Sequence, residues 1–202
     1  MKFAESSLKE FTDKLASKSP TPGGGSVAGL CSALSAALNS MVVNLTKENS
    51  FGQSGAQLSK LKTESLDLMD EDAESFKQVM SAFKLPKNTE AEKEKRTKAI
   101  QTALVGAAES PLKIMKLGLE ILKLGTKISE KGNVNAVSDA GVGALLALTA
   151  VKGGYYNVLI NAESLKDESA AEKLESKADQ IVQEAEKLAA EINEMTEKRI
   201  RA

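Results

Sequence analysis

The fold class of this chain is decided near its C-terminus, by residues 168–199, ESAAEKLESKADQIVQEAEKLAAEINEMTEKR. Apolar side chains recur there with the spacing 4-3-4-3-4-3, at Leu174, Ala178, Ile181, Ala185, Leu188, Ile192 and Met195. This spacing is a heptad seam, and it predicts one long amphipathic helix. Two roles are open for the seam: the inner face of a helix at the edge of a bundle, or a contact between two copies of the chain.

The rest of the chain repeats the helical spacing. We predict helices over about 8–16, from near Gly25 to 45, over about 56–83, from Thr89 to Ser110, from Pro111 to about 130, and one centred on 141–151. Start signals support three of them: capping boxes at Ser7–Glu10 and Thr89–Glu92, and an N-cap followed by proline at Ser110–Pro111. No strand pattern of useful length is present. We therefore predict an all-α fold, a single-domain helical bundle spanning residues 1–202.

Two further predictions concern which helix faces point inward. In the second helix we expect the large apolar residues to face the core, namely Leu30, Leu34, Leu38, Met41 and Leu45. In the third helix we expect the same of Leu58, Leu61, Met69, Phe76, Met80 and Phe83. The remaining faces of the second helix carry Gly, Ala and Ser, so neighbouring helices can pack close to its backbone.

Composition excludes several classes of site. Among 202 residues there is no histidine, which rules out histidine zinc sites, Ser-His-Asp triads and Cys-His dyads within the chain. The one cysteine, Cys31, permits no intrachain disulfide and no four-cysteine metal site. A single thiol in an apolar, small-residue stretch is typical of a buried cysteine in a reducing compartment. Proton transfer near neutral pH would rely on carboxylates, lysines, tyrosines, Cys31, the backbone or water.

Charge and targeting signals favour a cytoplasmic protein. Lys plus Arg is 27 and Asp plus Glu is 28, a net charge of −1, which gives no electrostatic reason to expect nucleic acid or an anionic membrane as partner. The N-terminal residues lack the apolar run of a signal peptide. Residues 20–46 carry no charge and are long enough to span a membrane, but their Ser and Asn side chains favour the central helix of a soluble bundle.

A glycine-rich loop precedes the second helix. In Pro20-Thr21-Pro22-Gly23-Gly24-Gly25-Ser26, two prolines stiffen the chain and three glycines remove side chains. The free N–H groups at such a helix start favour an anion, so the loop is either a ligand site or a tight turn that lets helices approach. It is not a P-loop, because no Gly-Lys-Ser/Thr follows.

A carboxylate lies on the predicted inner face of the third helix. Asp72 follows Met69 by three residues and precedes Phe76 by four, so it shares their face. Burial there is costly unless the group is paired or functional, and it would raise the pKa into a range that suits a general acid or base. The alternative is a structural carboxylate held by a donor.

Polar residues in three other segments complete the candidates. Lys87 lies in a turn before a basic helix start and could meet an anionic ligand tail, or it is ordinary surface charge. Residues 132–143, GNVNAVSDAGVG, place Asn, Ser and Asp at the mouth of an apolar helix, as a ligand-binding rim or as helix capping. Asn157 and Asn161 lie four apart on one face, as structural amides or as amides that bind a ligand.

These segments together resemble a known family. The stretches PTPGGGSVAGL (20–30), DEDAESF (70–76), LPKNTEAEKEKR (85–96), GNVNAVSDAGVGAL (132–145) and YYNVLIN (155–161) occur in the order and approximate spacing of the formiminotetrahydrofolate cyclodeaminase / methenyltetrahydrofolate cyclohydrolase family. The resemblance covers nearly the whole chain. It implies an all-helical fold, a homodimer, a reduced folate bound in a cleft, and no metal or redox cofactor.

The resemblance also assigns residues. It implies a substrate site lined by Gly23, Gly24, Gly25 and Ser26, a polar rim at Asn133, Ser138 and Asp139, and a place for the glutamate or polyglutamate tail at Lys87 and Arg96. Asp72 is implied as the catalytic acid and base. We favour the cyclohydrolase activity because the chain has no transferase domain, with the cyclodeaminase as the alternative. A non-enzymatic helical interaction module, suggested by the heptad seam, is the third hypothesis.

Overall fold

The computed structural model describes residues 2–47 and 51–202, and the described residues form six α-helices and no strand. The helices are α1 (Leu8–Leu15), α2 (Gly24–Leu45), α3 (Ser54–Phe83), α4 (Glu90–Lys131), α5 (Val137–Ala162) and α6 (Glu168–Ile200). Short 3₁₀ turns precede α1 and α5, at Phe3–Glu5 and Val134–Ala136. The all-α prediction is confirmed. Helices α2 to α6 pack around one main core, to which α4 contributes Met115, Ile121, Leu122 and Ile128.

Both predicted capping boxes form. The Ser7 hydroxyl accepts a hydrogen bond from the Glu10 N–H at 3.2 Å, and Glu10 Oε2 accepts one from the Ser7 N–H at 2.9 Å. Thr89 and Glu92 make the same pair at 3.2 and 3.0 Å, which fixes the start of α4. Each cap stabilises its helix by about 1 kcal/mol.

The predicted helix break at Ser110–Pro111 is wrong. Helix α4 runs unbroken through Pro111 for 42 residues. A proline in a helix lacks the N–H that would bond the carbonyl four residues earlier, here that of Ala107. The Asn161 side chain on α5 donates its Nδ2–H to Ala107 O instead, at 3.3 Å, so the freed carbonyl is not left without a partner.

This contact gives a stability prediction. We expect Asn161→Leu to destabilise the fold by about 1–3 kcal/mol, because it leaves a carbonyl without a donor. In a Pro111→Ala background the new N–H can bond Ala107 O, so the same substitution is expected to cost less. Urea unfolding of the wild type, the two single variants and the double variant measures the difference. Equal costs in both backgrounds would show that Asn161 does not compensate for the proline.

The predicted orientation of α2 is wrong. Its large residues Leu34, Met41 and Leu45 are exposed, and Leu30 and Leu38 are half-buried. The small face points inward: a Cβ on Gly29 would lie 3.1 Å from the Met69 backbone, and the Ser32 and Ser65 hydroxyls are 2.8 Å apart. The physical reason is that α3 and α5 approach too closely for leucine, so Gly, Ala and Ser form the contact.

The C-terminal half of α3 also departs from prediction. Leu58 and Met69 are buried as predicted and Leu61 packs against the main core, but Phe76, Met80 and Phe83 are exposed. Between them, Val79 and Ala82 face inward and form a small second core with α4 and with Leu165. The helix pair α3–α4 therefore extends beyond the main core with small residues at its contact.

The heptad seam of α6 lies within the bundle. Ala178, Ala185 and Ile192 are fully buried in the main core, and Leu174, Ile181 and Leu188 pack against it. Of the two roles open from the sequence, the inner face of a long edge helix is therefore the observed one. The seam no longer supports a separate interaction module.

Candidate active site

The candidate site lies where the N-terminus of α2 meets the C-terminal part of α5. The two helices run antiparallel: a Cβ on Gly24 would lie 3.4 Å from Asn157 Nδ2, while Ser35 donates to Gly143 O at 2.6 Å further along. A cavity of about 180 Å³ opens between them and α3. It is lined by Pro20, Thr21, Gly23, Gly24, Gly25, Asp72, Phe76, Ala107, Asn157 and Asn161.

The glycine-rich loop forms the start of α2 and part of the cavity wall. Gly23 is the N-cap and offers no side chain, and the peptide bond before Pro22 is cis. The N–H groups of Gly24, Gly25 and Ser26 belong to the first turn and have no partner within the helix. Those of Gly24 and Gly25 give the cavity hydrogen-bond donors and the positive end of the helix dipole, whereas the Ser26 N–H bonds the Asp72 carboxylate. The loop is thus both a close helix contact and a candidate ligand site.

Asp72 lies against this helix start. Its Oδ2 accepts a hydrogen bond from the Ser26 hydroxyl at 3.2 Å, and the same hydroxyl contacts Met69 O at 3.0 Å. The position requires glycine at residue 25, because a Cβ there would overlap the Asp72 carboxylate. Desolvation by burial raises the pKa of Asp72, and the Ser26 hydrogen bonds lower it by less. Among the described residues no cation forms a salt bridge with this carboxylate.

Asn157 and Asn161 form the α5 side of the cavity. Their amide N–H groups are occupied, Asn157 Nδ2 by Gly153 O at 2.8 Å and Asn161 Nδ2 by Asn157 O at 2.7 Å. Their Oδ1 atoms accept no hydrogen bond from the described residues and remain acceptors for a ligand. The sequence signal was the four-residue spacing of two amides inside an apolar segment. Sequence reasoning left their role open. It included Pro20 and Thr21 in the candidate loop, assigned Phe76 to the core, and missed Ala107.

Lys87 and Arg96 lie away from the cavity, at the far end of the α3–α4 pair. Arg96 donates from Nε and Nη2 to Phe83 O at 3.2 and 3.1 Å, and its guanidinium lies over the Phe83 ring at 5.7 Å. It therefore caps the C-terminus of α3. Lys87 is exposed in the turn between the two helices.

Asn133, Ser138 and Asp139 lie at the opposite end of α2. The Asn133 side chain donates to Leu45 O at 2.8 Å, and its Oδ1 accepts from the Asn135 N–H at 3.0 Å. Helix α2 has 22 residues, about 33 Å, so within one chain these residues do not share a cleft with Asp72. The ligand-binding rim at these three residues stays a prediction. Their geometry here is that of a helix connection.

Metal ligands do not cluster in the described part of the chain. Residues 2–47 and 51–202 contain no group of three or more Cys, Asp or Glu side chains placed to hold an ion. Cys31 is half-buried, and burial raises the pKa of its thiol.

Comparison with known proteins identifies the family. The family model described as formiminotransferase-cyclodeaminase matches residues 7–180. The chain belongs to this family. It is 37% identical over 201 residues to a methenyltetrahydrofolate cyclohydrolase of Methylorubrum extorquens, covering 96% of this chain and 97% of that protein. It is 34% identical to the formimidoyltransferase-cyclodeaminase of Rattus norvegicus, covering 92% of this chain but 36% of the relative.

A solved structure of the formiminotransferase-cyclodeaminase family shares the fold. The crystal structure of formiminotetrahydrofolate cyclodeaminase from Thermotoga maritima aligns with a TM-score of 0.85 at 28% identity. The alignment covers 96% of this chain and 97% of that one. The family resemblance stated from the five sequence segments is thereby confirmed.

Proposed function

We propose that this chain is a methenyltetrahydrofolate cyclohydrolase, which converts 5,10-methenyltetrahydrofolate and water to 10-formyltetrahydrofolate. The observation that carries the proposal is the Asp72 carboxylate in the cavity, with a raised pKa and no cation paired to it among the described residues. The full-length similarity to the Methylorubrum extorquens cyclohydrolase supports the choice of reaction.

A single carboxylate is enough to carry out the proton transfers of this hydrolysis. The methenyl bridge is a cationic carbon held between two nitrogens, so it needs neither a covalent nucleophile nor further activation. The Asp72 carboxylate takes a proton from water as the oxygen–carbon bond forms. It returns that proton to N5 as the carbon–N5 bond breaks, and the hydroxyl proton passes to solvent. One cation and one water thus give the neutral formyl product and one proton.

The α2 N-terminus supplies a second contribution. As the carbon–N5 bond breaks, the hydroxyl oxygen becomes the formyl oxygen and gains acceptor character. The free N–H groups of Gly24 and Gly25 line the same cavity and can donate to it. In this proposal Asp72 stabilises the cation and moves the proton, while the helix start binds the oxygen.

The alternative is the formiminotetrahydrofolate cyclodeaminase reaction, which is favoured by the fold shared with the Thermotoga maritima enzyme. There the second folate nitrogen attacks the formimino carbon and ammonia leaves. The site needs the same carboxylate, now to protonate the leaving ammonia and to take the proton of the attacking nitrogen.

A paired spectrophotometric assay tests the proposal. The methenyl chromophore is followed once from 5,10-methenyltetrahydrofolate and once from 5-formiminotetrahydrofolate. We expect decay above the uncatalysed rate in the first assay and no methenyl formation in the second. Methenyl formation with ammonia release would make the chain a cyclodeaminase, and no change in either would overturn both reactions.

We also propose that the chain is a homodimer held by the outer faces of α2 and α5. Helix α2 exposes Leu34, Met41 and Leu45, and the neighbouring α5 exposes Val142, Leu145, Tyr156 and Ile160. Two helical segments are long and apolar enough to cross a membrane, Gly24–Leu45 and Val134–Ala162. Half of the apolar stretch of each is buried inside the bundle. A second copy would cover the exposed halves. If the two α2 helices are antiparallel, the Asn133 end of one copy lies beside the Asp72 end of the other.

Two charge substitutions test the dimer. Leu34→Glu and Leu145→Glu place carboxylates in the outer faces of α2 and α5, and we expect each to convert the dimer to a monomer in analytical ultracentrifugation. Leu8→Glu on α1, which is also exposed but belongs to neither face, is the matched control. A monomeric wild type, or dimers that persist in both variants, would overturn this interface.

The remaining properties are proposed on the resemblance alone. They are a cytoplasmic location, no cofactor or metal beyond the reduced folate, and a folate that carries one or more glutamates. Dialysis against a chelator followed by the methenyl assay tests whether a metal is needed, and we expect unchanged turnover.

A further inference from the structure

The cavity next to Asp72 is too small for a whole folate. Its volume is about 180 Å³, whereas pockets that enclose ligands of that size measure roughly 300–1,000 Å³. It can hold the reacting end of the ligand. The rest must therefore lie along a wall that leads out of the cavity.

One such wall carries large apolar side chains in solvent. Phe76, Met80 and Phe83 are 40%, 40% and 47% exposed. They follow Asp72 at four, eight and eleven residues, which places them on its side of the helix. Phe76 itself lines the cavity together with Asp72. These three side chains form an apolar stripe that is continuous with the site. The distance along the helix from Asp72 to Phe83 is about 16 Å.

The end of the stripe at Phe83 is held in place by an arginine and lies beside positive charge. Arg96 holds the carbonyl of Phe83 and lies over its ring, and Lys87 is exposed in the adjoining turn. From Asp72 outward, the wall therefore offers a carboxylate, an aromatic ring, a methionine, a second ring and then positive charge. A reduced folate has the matching order: a reactive carbon, a benzoyl ring on N10, and a glutamate.

We propose that Phe76 and Met80 position the benzoyl ring of the substrate, with its glutamate end directed toward Phe83 and Arg96. This inference rests on the proposed folate function, agrees with the glutamate position that the family resemblance implies at Arg96, and adds the residues that hold the benzoyl ring. A ring packed on Phe76 holds the reactive carbon, one bond from N10, beside Asp72. Phe76 is then a positioning residue, whose loss weakens binding more than it slows the chemical step.

The first test compares KM with kcat. We expect Phe76→Ala to raise KM about tenfold with kcat changed by less than about threefold, because ring packing is worth about one order of magnitude in affinity. Phe76→Tyr keeps the ring and is expected to restore KM. Met80→Ala should raise KM by a smaller factor. Leu8→Ala, at an exposed apolar residue of α1 that is not part of the stripe, is the matched control.

The second test removes the ring from the ligand. We compare the binding of 5-formyltetrahydrofolate with that of 6-methyltetrahydropterin, which lacks the benzoylglutamate. The wild type should prefer the folate, and Phe76→Ala should narrow that preference about tenfold without weakening pterin binding. A preference that stays unchanged in both Phe76→Ala and Met80→Ala would overturn the inference.

Two outcomes separate failure of the function from failure of the ligand direction. If the wild type turns over neither folate, the proposed function fails first. If the wild type is active but both variants keep their KM and ligand preference, only the direction of the ligand is wrong. A loss of the dimer in Phe76→Ala would assign the stripe to a second copy and overturn the inference too.

Discussion

Asp72→Asn is expected to lower kcat about 10²–10⁴-fold while the protein stays folded. The amide keeps the size of the carboxylate and can still accept the Ser26 hydroxyl, but it cannot take a proton from water or stabilise the methenyl cation. The matched control is Glu71→Gln on the same turn, whose carboxylate is exposed and pairs with Lys113 at 2.6 Å. We expect the control to keep full activity. Full activity in Asp72→Asn would remove Asp72 from the mechanism.

The same variant is expected to be more stable than the wild type at pH 7. Burial raises the folded-state pKa of Asp72 above its unfolded value, so the ionised carboxylate opposes folding. This cost is absent below the unfolded pKa, grows as pH rises from the unfolded pKa to the raised folded pKa, and stays constant above it. The gain in Tm of Asp72→Asn should therefore be present at neutral pH and vanish in acid. A variant less stable at pH 7 would indicate that the carboxylate is structural.

The raised pKa of Asp72 also predicts how the activity of the wild type depends on pH. If Asp72 must be ionised to take a proton from water, kcat/KM falls as pH drops through its raised pKa. The acid limb should therefore lie above the usual range of an aspartate, with Glu71→Gln showing the same limb as the wild type. An acid limb at the ordinary aspartate pKa would contradict the assignment.

Gly25→Ala is expected to lower kcat/KM about 100-fold or more. The new Cβ would overlap the Asp72 carboxylate, so the carboxylate or the helix start must move, and a displacement of about 1 Å is enough for a loss of this size. The positions of the Gly24 and Ser26 donors would shift with it. The methenyl assay and a thermal melt together show whether activity is lost without unfolding.

Gly106→Ala is the matched control for this substitution. Gly106 lies in α4 and is exposed, and a methyl group at its Cα would meet no atom within 4 Å. Alanine there should raise stability by about 0.5–1 kcal/mol through helix propensity, with activity unchanged. If Gly25→Ala also keeps its activity, the close contact between α2 and Asp72 is not needed for catalysis.

The ends of the helices are the part of the fold that the sequence predicts best, because helix capping depends on residues that are close together in the sequence. Ser7 and Thr89 each carry their partner three residues later, and both boxes form as expected. The start predicted at Pro111 fails for the opposite reason. Whether a helix can pass through a proline depends on a donor for the freed carbonyl of Ala107, and that donor, Asn161, lies 54 residues beyond the carbonyl in the sequence.

The inward faces of the helices were predicted less well. The prediction assumed that the most hydrophobic side chains, which are the large ones, face the core. In α2 the deciding factor is how close the neighbouring helices come, which admits Gly29 and Ser32 and excludes Leu34. In α3 the exposed Phe76 lines the cavity and Met80 lies one helical turn further along, where the proposed ligand rather than the core would cover them.

The site was predicted in part. Residues close in sequence, such as the glycine loop, and the single carboxylate on an apolar face were found without structure, and the two lie in contact. What sequence could not supply is which distant segments meet. Asn133 and Asp139 follow the same pattern of small and polar residues at a helix start, yet they lie at the other end of α2.

A crystal structure with bound 5-formyltetrahydrofolate, a stable ligand of the same class, tests the central claim most directly. We expect the one-carbon unit within hydrogen-bond reach of Asp72 and the N–H groups of Gly24 and Gly25, and the benzoyl ring against Phe76. A folate bound elsewhere, for example in the lysine-rich groove between α3 and α4 that contains Lys77, Lys95 and Lys98, would contradict it.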